Sequence, residues 1–185
     1  ICCWQFVLPI RNSELIMAMS LVSTVTVGSG GAASIQFDNI PQSGKDLFIL
    51  VSMKITKASG NPDALEVRFN GDTGSNYTTR WLEGSGSAVA SSSTTTTRIY
   101  IERGAMPSYY TANTFGNAGV YVSNYTSSVA KSVSGDAVTE NNASASYQTI
   151  AAGSWTGTSA ITSLTVLSGS STITEFSSAS LYIVS

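Results

Sequence analysis

The sequence contains no histidine, and its only two cysteines are adjacent, at Cys2 and Cys3. Without histidine, the Ser-His-Asp and Cys-His catalytic arrangements are excluded, as is the commonest metal ligand. Neighbouring cysteines rarely bridge, because the geometry is strained, and two sulfurs alone do not complete a structural zinc site. We therefore expect a fold held by its apolar core, with no disulfide framework, and we predict no cofactor or metal ion.

Charge is also scarce, since only 11% of the 185 residues are charged and the formal net charge is -2. Surfaces that bind nucleic acid carry clustered Lys and Arg, so no nucleic-acid partner is predicted. Ser and Thr are abundant instead. Uncharged polar surfaces suit proteins that pack against other subunits, because little charge must be desolvated. The composition favours an assembly subunit, and it also fits a secreted adhesin.

No window of the chain shows sustained helical spacing of apolar residues. From Leu21 onward, short runs of alternating or wholly apolar residues are separated by Gly, Ser, Asn or Pro. Regular strand spacing of this kind predicts an all-β fold, an antiparallel, jelly-roll-like β-sandwich. The predicted strands are Leu21–Val27, Ser34–Phe37, Leu47–Thr56, Leu65–Asn70, Tyr77–Leu82, Arg98–Arg103, Gly119–Tyr125, Lys131–Thr139, Ala145–Ala151, Ile161–Leu167 and Ala179–Val184. By length, residues 21–185 form one domain, preceded by an N-terminal arm or extension at residues 1–20.

Three segments carry more specific expectations. Leu47–Val51 is apolar on both faces and predicts a central core strand, with Lys54 and Lys57 marking its emergence into solvent. Asn70-Gly71 follows an alternating strand and tolerates positive φ at both positions, which is a hairpin signature. The low-complexity run Ser91–Thr97 is polar and lacks apolar anchors, so it predicts a mobile loop.

The first ten residues are apolar but too few to cross a bilayer, and no membrane partner is predicted. Three interpretations stay open: a native arm, a translation start further along at Met17 or Met19, or a remnant of processing or expression. An exposed apolar strip is a liability unless something covers it. As a native arm, this segment either packs on the core of its own domain or docks on a partner, through Trp4, Phe6, Val7, Leu8 and Ile10.

Side chains that could carry chemistry are few. A pair of carboxylates could in principle serve a glycosidase, but the spacing singles out no pair, so we predict no enzyme. The carboxylates considered are Glu66, Asp72, Glu83, Glu102 and Glu140. The oxygens of Asp72–Asn76 could hold calcium, although an Asx-stabilised turn is the favoured interpretation.

Aromatic residues offer the remaining candidate contacts. Trp81, Tyr109 and Tyr110 are predicted surface aromatics that could stack on a sugar or form an assembly hot spot. Trp155 lies between two glycines and is interpreted as core packing.

Several short motifs resemble one protein family. They are the stretch RFNGDTGSNYTTRWLEGSG at Arg68–Gly86, Ile40-Pro41-Gln42 followed by Asp46-Leu47, Ala160-Ile161-Thr162-Ser163, and Ser180-Leu181-Tyr182. Together they resemble a family of tailed-bacteriophage virion surface proteins, head decoration or fibre-associated β-domains, over roughly Ser20 to the C-terminus.

The resemblance implies that this chain is a structural component of a phage particle. Its expected role is capsid decoration or cement, with the major capsid protein and copies of itself, as a homotrimer, as partners. It would be assembled in the host bacterial cytoplasm and displayed on the virion surface. The alternative is a receptor-binding or tail-fibre-tip domain that recognises host surface glycans, and a secreted carbohydrate-binding or adhesin module outside phages is the third interpretation.

Overall fold

The computed structural model describes residues 18–141, 146–169 and 171–185 of the chain. Every regular element in these ranges is a β-strand, so the prediction of an all-β fold is confirmed. No helix long and apolar enough to cross a membrane occurs in the described ranges. The strands are β1 Met19–Thr26, β2 Ile35–Phe37, β3 Asp46–Ile55, β4 Asp63–Phe69, β5 Tyr77–Gly84, β6 Val89–Thr96, β7 Ile99–Pro107, β8 Gly116–Val122, β9 Lys131–Val138, β10 Gln148–Trp155, β11 Leu164–Leu167 and β12 Ser178–Val184.

The strands form two antiparallel layers joined at one point. The large layer has eight strands in the order β1-β12-β3-β8-β9-β10-β5-β6, and the small layer has four in the order β2-β11-β4-β7. A short parallel pairing of Lys54 with Met106 and Ile55 with Pro107 links β3 to β7 and makes the whole a single twelve-stranded sheet. Strand β7 also packs across β9 and β10, so the small layer covers one face of the large one.

The core lies between the layers and is built by alternation along the strands. Leu47, Ile49 and Val51 of β3 point inward, and so do Val67 and Phe69 of β4. Full burial of such a side chain contributes roughly 1.5–3 kcal/mol. The predicted core strand is therefore confirmed for Leu47, Ile49 and Val51, which share one core cluster with Leu65, Val67 and Phe69.

Glycines on the large layer let β7 approach closely. A Cβ at Gly135 would lie 2.5 Å from Cδ1 of Ile101, and one at Gly153 would lie 2.8 Å from Cδ1 of Ile99. The two isoleucines fill the space above these glycines, so the layers interlock where β7 crosses β9 and β10.

The Asn70-Gly71 pair forms a tight turn but not a hairpin. Both residues have positive φ, 49° and 65°, and the Asp72 N–H donates to the Phe69 carbonyl at 2.9 Å. This turn connects β4 in the small layer to β5 in the large layer, and the two strands do not pair with each other. The tight turn is confirmed, and the hairpin interpretation is wrong because the turn connects two layers.

The true hairpin follows β5 and was missed. Strand β6 pairs with β5 along its whole length through a turn in which Gly86 has a φ of 82°. The predicted mobile loop at Ser91–Thr97 is therefore wrong for Ser91–Thr96, which belong to β6. Thr favours strands because its Cβ is branched. Pairing with β5 orders this segment, although it has no apolar side chains that anchor it in the core.

Lys54 was predicted to emerge into solvent and is instead buried. Its Nζ donates to the carbonyls of Thr111 and Thr114 at 3.0 and 3.1 Å, so it holds the loop after β7. Burial lowers the pKa of this amine. A lysine stem can cross apolar surroundings when its charged end finds oxygen ligands, which sequence alone does not show.

Three tyrosines make the fold sensitive to alkaline pH. Burial raises the pKa of Tyr77 and of Tyr110 to about 12, and the hydrogen bond to Asp46 raises that of Tyr121 to about 12. Unfolded tyrosine ionises near 10, so between pH 10 and 12 the folded state binds more protons than the unfolded state. We expect these tyrosines to make the free energy of unfolding fall as pH rises from about 10 towards 12.

Urea midpoints measured at several pH values between 9 and 12 test this prediction. Tyr121→Phe is the matched control, because it removes one of the three titrating hydroxyls and should make the decline shallower. A free energy of unfolding that stays constant across this range would contradict the prediction.

Candidate interaction surface

The face of the large layer that points away from the small layer is exposed, and we call it the outer face. Cross-strand register places its side chains in three complete rows, each with one residue from each of the eight strands, and in a further incomplete row that includes Asp46. The first row is Leu21, Tyr182, Phe48, Tyr121, Ser134, Ala152, Arg80 and Ser93. The second is Thr24, Ser180, Leu50, Gly119, Asp136, Ile150, Leu82 and Ser91. The third is Thr26, Ser178, Ser52, Asn117, Val138, Gln148, Gly84 and Val89.

The outer face carries almost no charge. Arg80 and Asp136 are its only charged residues in these three rows, and they have opposite signs. A monomeric sandwich usually presents alternating Lys, Glu and Thr on such a face, since that face meets water. The scarcity of charge means that a partner could cover the outer face at little desolvation cost.

Apolar residues form two patches on the outer face. The first, which we call the aromatic patch, combines Leu21, Tyr182, Phe48, Tyr121 and Leu50 from four neighbouring strands. Leu21 is 57% exposed and Leu50 is 40% exposed. The hydroxyl of Tyr121 donates to Asp46 Oδ2, which fixes the ring at the edge of the patch. Five contiguous apolar side chains in water are typical of an interaction site.

The second patch lies at the other end of the same face. Leu82, Ile150 and Val89 are 48%, 55% and 79% exposed, and Leu82 and Ile150 are directly opposite each other on β5 and β10. An open groove of about 620 Å³ adjoins them and is lined by β5, β6 and β10. Trp81 and Arg80 are among the residues that line it.

The predicted surface aromatics do not form one site. Trp81 is half-buried beside the groove, whereas Tyr109 and Tyr110 lie in the loop after β7. Tyr109 is 44% exposed, but Tyr110 is buried beneath it in an edge-to-face contact, with ring centroids 4.8 Å apart. The prediction of a surface role is therefore wrong for Tyr110, because the first tyrosine of the pair covers the second.

Trp155 lies in the core, as interpreted from sequence. Its ring packs on Phe69 and Tyr77, with centroids 5.6 and 6.2 Å away. The indole Nε1–H donates to Asp72 Oδ2 at 2.7 Å, and this hydrogen bond lowers the pKa of the Asp72 carboxyl.

The Asp72 segment makes an Asx turn. The Gly74 N–H donates to Asp72 Oδ1 at 2.8 Å, and Asn76 Nδ2 donates to the same carboxylate. Within the described ranges, no three His, Cys, Asp or Glu side chains come together as a possible metal site. The oxygens of this segment therefore serve the turn.

Three of the four motifs behind the family resemblance meet in the fold. Asn70 Nδ2 donates to the Ala160 carbonyl at 2.8 Å, and Asn70 Oδ1 accepts from the Thr162 N–H at 2.9 Å. Gln42 Nε2 donates to the Ile161 carbonyl at 2.9 Å. These motifs thus tie turns to one another, which is a structural role.

The carboxylates near β7 are ion-paired. Glu66 Oε2 lies 2.7 Å from an Arg98 guanidinium nitrogen, and Arg103 lies 3.1 Å from Glu83 and 3.4 Å from Glu102. Burial raises the pKa of Glu66 and of Glu102. Both border a small pocket of about 320 Å³, and Arg98 and Arg103 balance their charge.

The candidate docking arm at Trp4, Phe6, Val7, Leu8 and Ile10 lies outside the described residues. Sequence reasoning missed the outer face. The sequence does indicate this face, because Leu47–Val51 is apolar on both sides of the strand. Both sides were assigned to the core, but Leu50 and Phe48 point outward.

Comparison with protein-family models, with curated proteins and with solved structures finds no match to this chain.

Proposed function

We propose that this protein is a structural component of a bacteriophage particle, a decoration or cement protein that binds the major capsid protein through its outer face. The evidence for this docking surface is that the outer face is exposed, nearly uncharged and has two apolar patches. The assignment to a phage rests on the sequence motifs that resemble virion surface proteins.

The size of the outer face suits a stable interface. Eight strands spaced about 4.8 Å apart span about 34 Å, and three rows of alternate residues add about 13 Å along the strands. With side-chain margins, this area is of the order of the roughly 800 Å² per partner found in standard protein interfaces. A docked face would gain about 25 cal/mol per Å² of apolar area removed from water, from which the cost of association is subtracted.

The mechanism is burial of surface, without a chemical step. Each copy would cover a junction between capsid subunits and hold them together. Several copies that contact one another would add avidity to individually weak contacts.

The alternative role, glycan recognition at a fibre tip, is favoured by one observation. The open groove beside Leu82 is lined by Trp81, which lies opposite Ser92, and by Arg80, which lies opposite Ser93. Aromatic rings and hydroxyl donors are groups that bind sugars.

A binding comparison separates the two roles. Purified protein is added to particles that lack it and, in parallel, to host cell-surface polysaccharide. The proposal predicts saturable binding to the capsid, with a fixed number of copies per particle and no retention on the polysaccharide. Binding to polysaccharide but not to capsids would overturn the proposal and support the fibre-tip role.

Deleting residues 1–16 tests the arm separately. If Trp4, Phe6, Val7 and Leu8 dock on the capsid, the truncated protein should keep its denaturant midpoint but bind capsids less tightly. Burial of these side chains would contribute on the order of several kcal/mol per copy before association costs. Equal occupancy by the truncated and full-length proteins would show that the arm is dispensable.

A further inference from the structure

Strand β6 is an open edge of the large layer. It pairs only with β5 among the described strands, and none of its eight residues is buried. The edge strands at the other ends of the layers are protected from pairing with a further strand, because β2 has only three residues and β1 is interrupted by a bulge between Leu21 and Ser23. Strand β6 has no bulge, no proline and no charge. An edge without these devices is a template for another strand.

Hydrogen bonds at the ends of β5 show which β6 groups face outward. The Ser85 N–H donates to the Ala88 carbonyl, and the Thr156 N–H donates to the Asn76 carbonyl. Because bonded and non-bonded pairs alternate along antiparallel strands, Ala90, Ser92, Thr94 and Thr96 bond to β5. The N–H and C=O groups of Val89, Ser91, Ser93 and Thr95 therefore point to the open edge.

We infer that this edge pairs antiparallel with β6 of a second copy of the chain about a two-fold axis. Residues with outward groups must lie opposite one another in such a pair. In the register that pairs all of these residues, Val89 of one copy lies opposite Thr95 of the other, and Ser91 lies opposite Ser93. Eight main-chain hydrogen bonds then form, and Ser92 lies opposite its own copy.

Charge favours a second copy as the occupant. Residues 84–97 contain no charged side chain, so the strand meets itself without repulsion, and Ser and Thr hydroxyls face one another. The nearest outer-face charge is Arg80 on β5. The two Arg80 side chains of a pair are separated by at least three strand spacings, about 14 Å, which exceeds the Debye length of about 8 Å at physiological salt.

The pairing has a geometric consequence. The outward-bonding residues of β6 are the same residues whose side chains lie on the outer face, opposite Gly84, Leu82, Arg80 and Thr78 of β5. Opposite residues in an antiparallel pair point to the same side. The two outer faces therefore lie side by side and form one sixteen-stranded surface. This unit is a dimer, in place of the homotrimer implied by the sequence resemblance.

Ser93→Pro tests the edge directly. Proline removes an N–H that faces the open edge, so it should block the pair and leave the β5–β6 pairing intact. In sedimentation equilibrium over a concentration series, the unaltered protein and the control Ser93→Ala should dimerise. We expect Ser93→Pro to raise the dimer dissociation constant at least tenfold, with an unchanged denaturant midpoint at concentrations at which both proteins are monomeric. A monomer at all concentrations, or a trimer that survives Ser93→Pro, would overturn the inference.

Cysteine cross-linking tests the register without relying on proline. In a Cys2→Ser, Cys3→Ser background, Ser92→Cys should form an intermolecular disulfide on oxidation, because the opposed Cα atoms would lie about 4.5 Å apart. Ser93→Cys is the matched control, since its two copies would be offset by two residues and separated by about 9 Å, beyond the reach of a disulfide. Equal cross-linking of both variants, or none with Ser92→Cys, would contradict the inferred pair.

Discussion

Phe69→Ala should lower the free energy of unfolding by about 3 to 5 kcal/mol, the range for buried aromatic truncations. Phe69 is fully buried, and its ring contacts Tyr77 and Trp155 at centroid distances of 6.2 and 5.6 Å. Truncation leaves a cavity between the layers and removes one member of this three-ring cluster. Since a domain of this size is stabilised by only about 5 to 15 kcal/mol, much of that stability would be lost.

Urea denaturation followed by tryptophan fluorescence measures this effect. Val129→Ala is the control, because Val129 is 53% exposed in the loop after β8 and should change the free energy by less than about 0.5 kcal/mol. If the Phe69→Ala midpoint matched that of Val129→Ala, the assignment of Phe69 to the core would be wrong.

Leu50→Glu combined with Leu82→Glu should weaken capsid binding by about 100-fold or more. The two residues lie in the two apolar patches of the outer face and are 40% and 48% exposed. Docking would bury two carboxylates in place of apolar groups that contribute roughly 1.5–3 kcal/mol each, and 2.7 kcal/mol corresponds to a factor of about 100. In the free protein the new carboxylates remain in water, so its denaturant midpoint should change little.

Titration of particles with labelled protein measures the loss of binding. Val129→Glu is the matched control, since it places the same carboxylate at an exposed apolar position away from the outer face. Wild-type affinity for the double variant would exclude the outer face as the capsid contact. Equal weakening by Val129→Glu would indicate a general charge effect.

Local sequence patterns predicted much of the fold. Each predicted strand overlaps an observed one, because alternation and turn residues report directly on which side chains a strand buries. The observed strand that was not predicted is β6, whose Ser and Thr residues carry no apolar alternation and which pairs only with β5 among the described strands. Its order comes from pairing with β5 across the hairpin turn at Gly86, and the residues of β6 themselves give no sign of that partner.

The interaction surface was harder to predict, since tertiary placement decides which apolar residue is core and which is exposed. Leu50 and Ile49 are adjacent and equally apolar, yet one faces water and the other is fully buried. The same is true of Tyr109 and Tyr110, because the sequence does not indicate which ring is exposed and which is buried beneath it. Alternation reveals two faces of a strand, and only the assembled layers show which face is left uncovered.

An electron-microscopy reconstruction of the phage particle tests the central proposal most directly. The account predicts density for this chain on the capsid lattice, with Leu50, Tyr121 and Leu82 of the outer face against the shell. Density at the tips of tail fibres, or copies on the capsid whose outer face points to solvent, would contradict it.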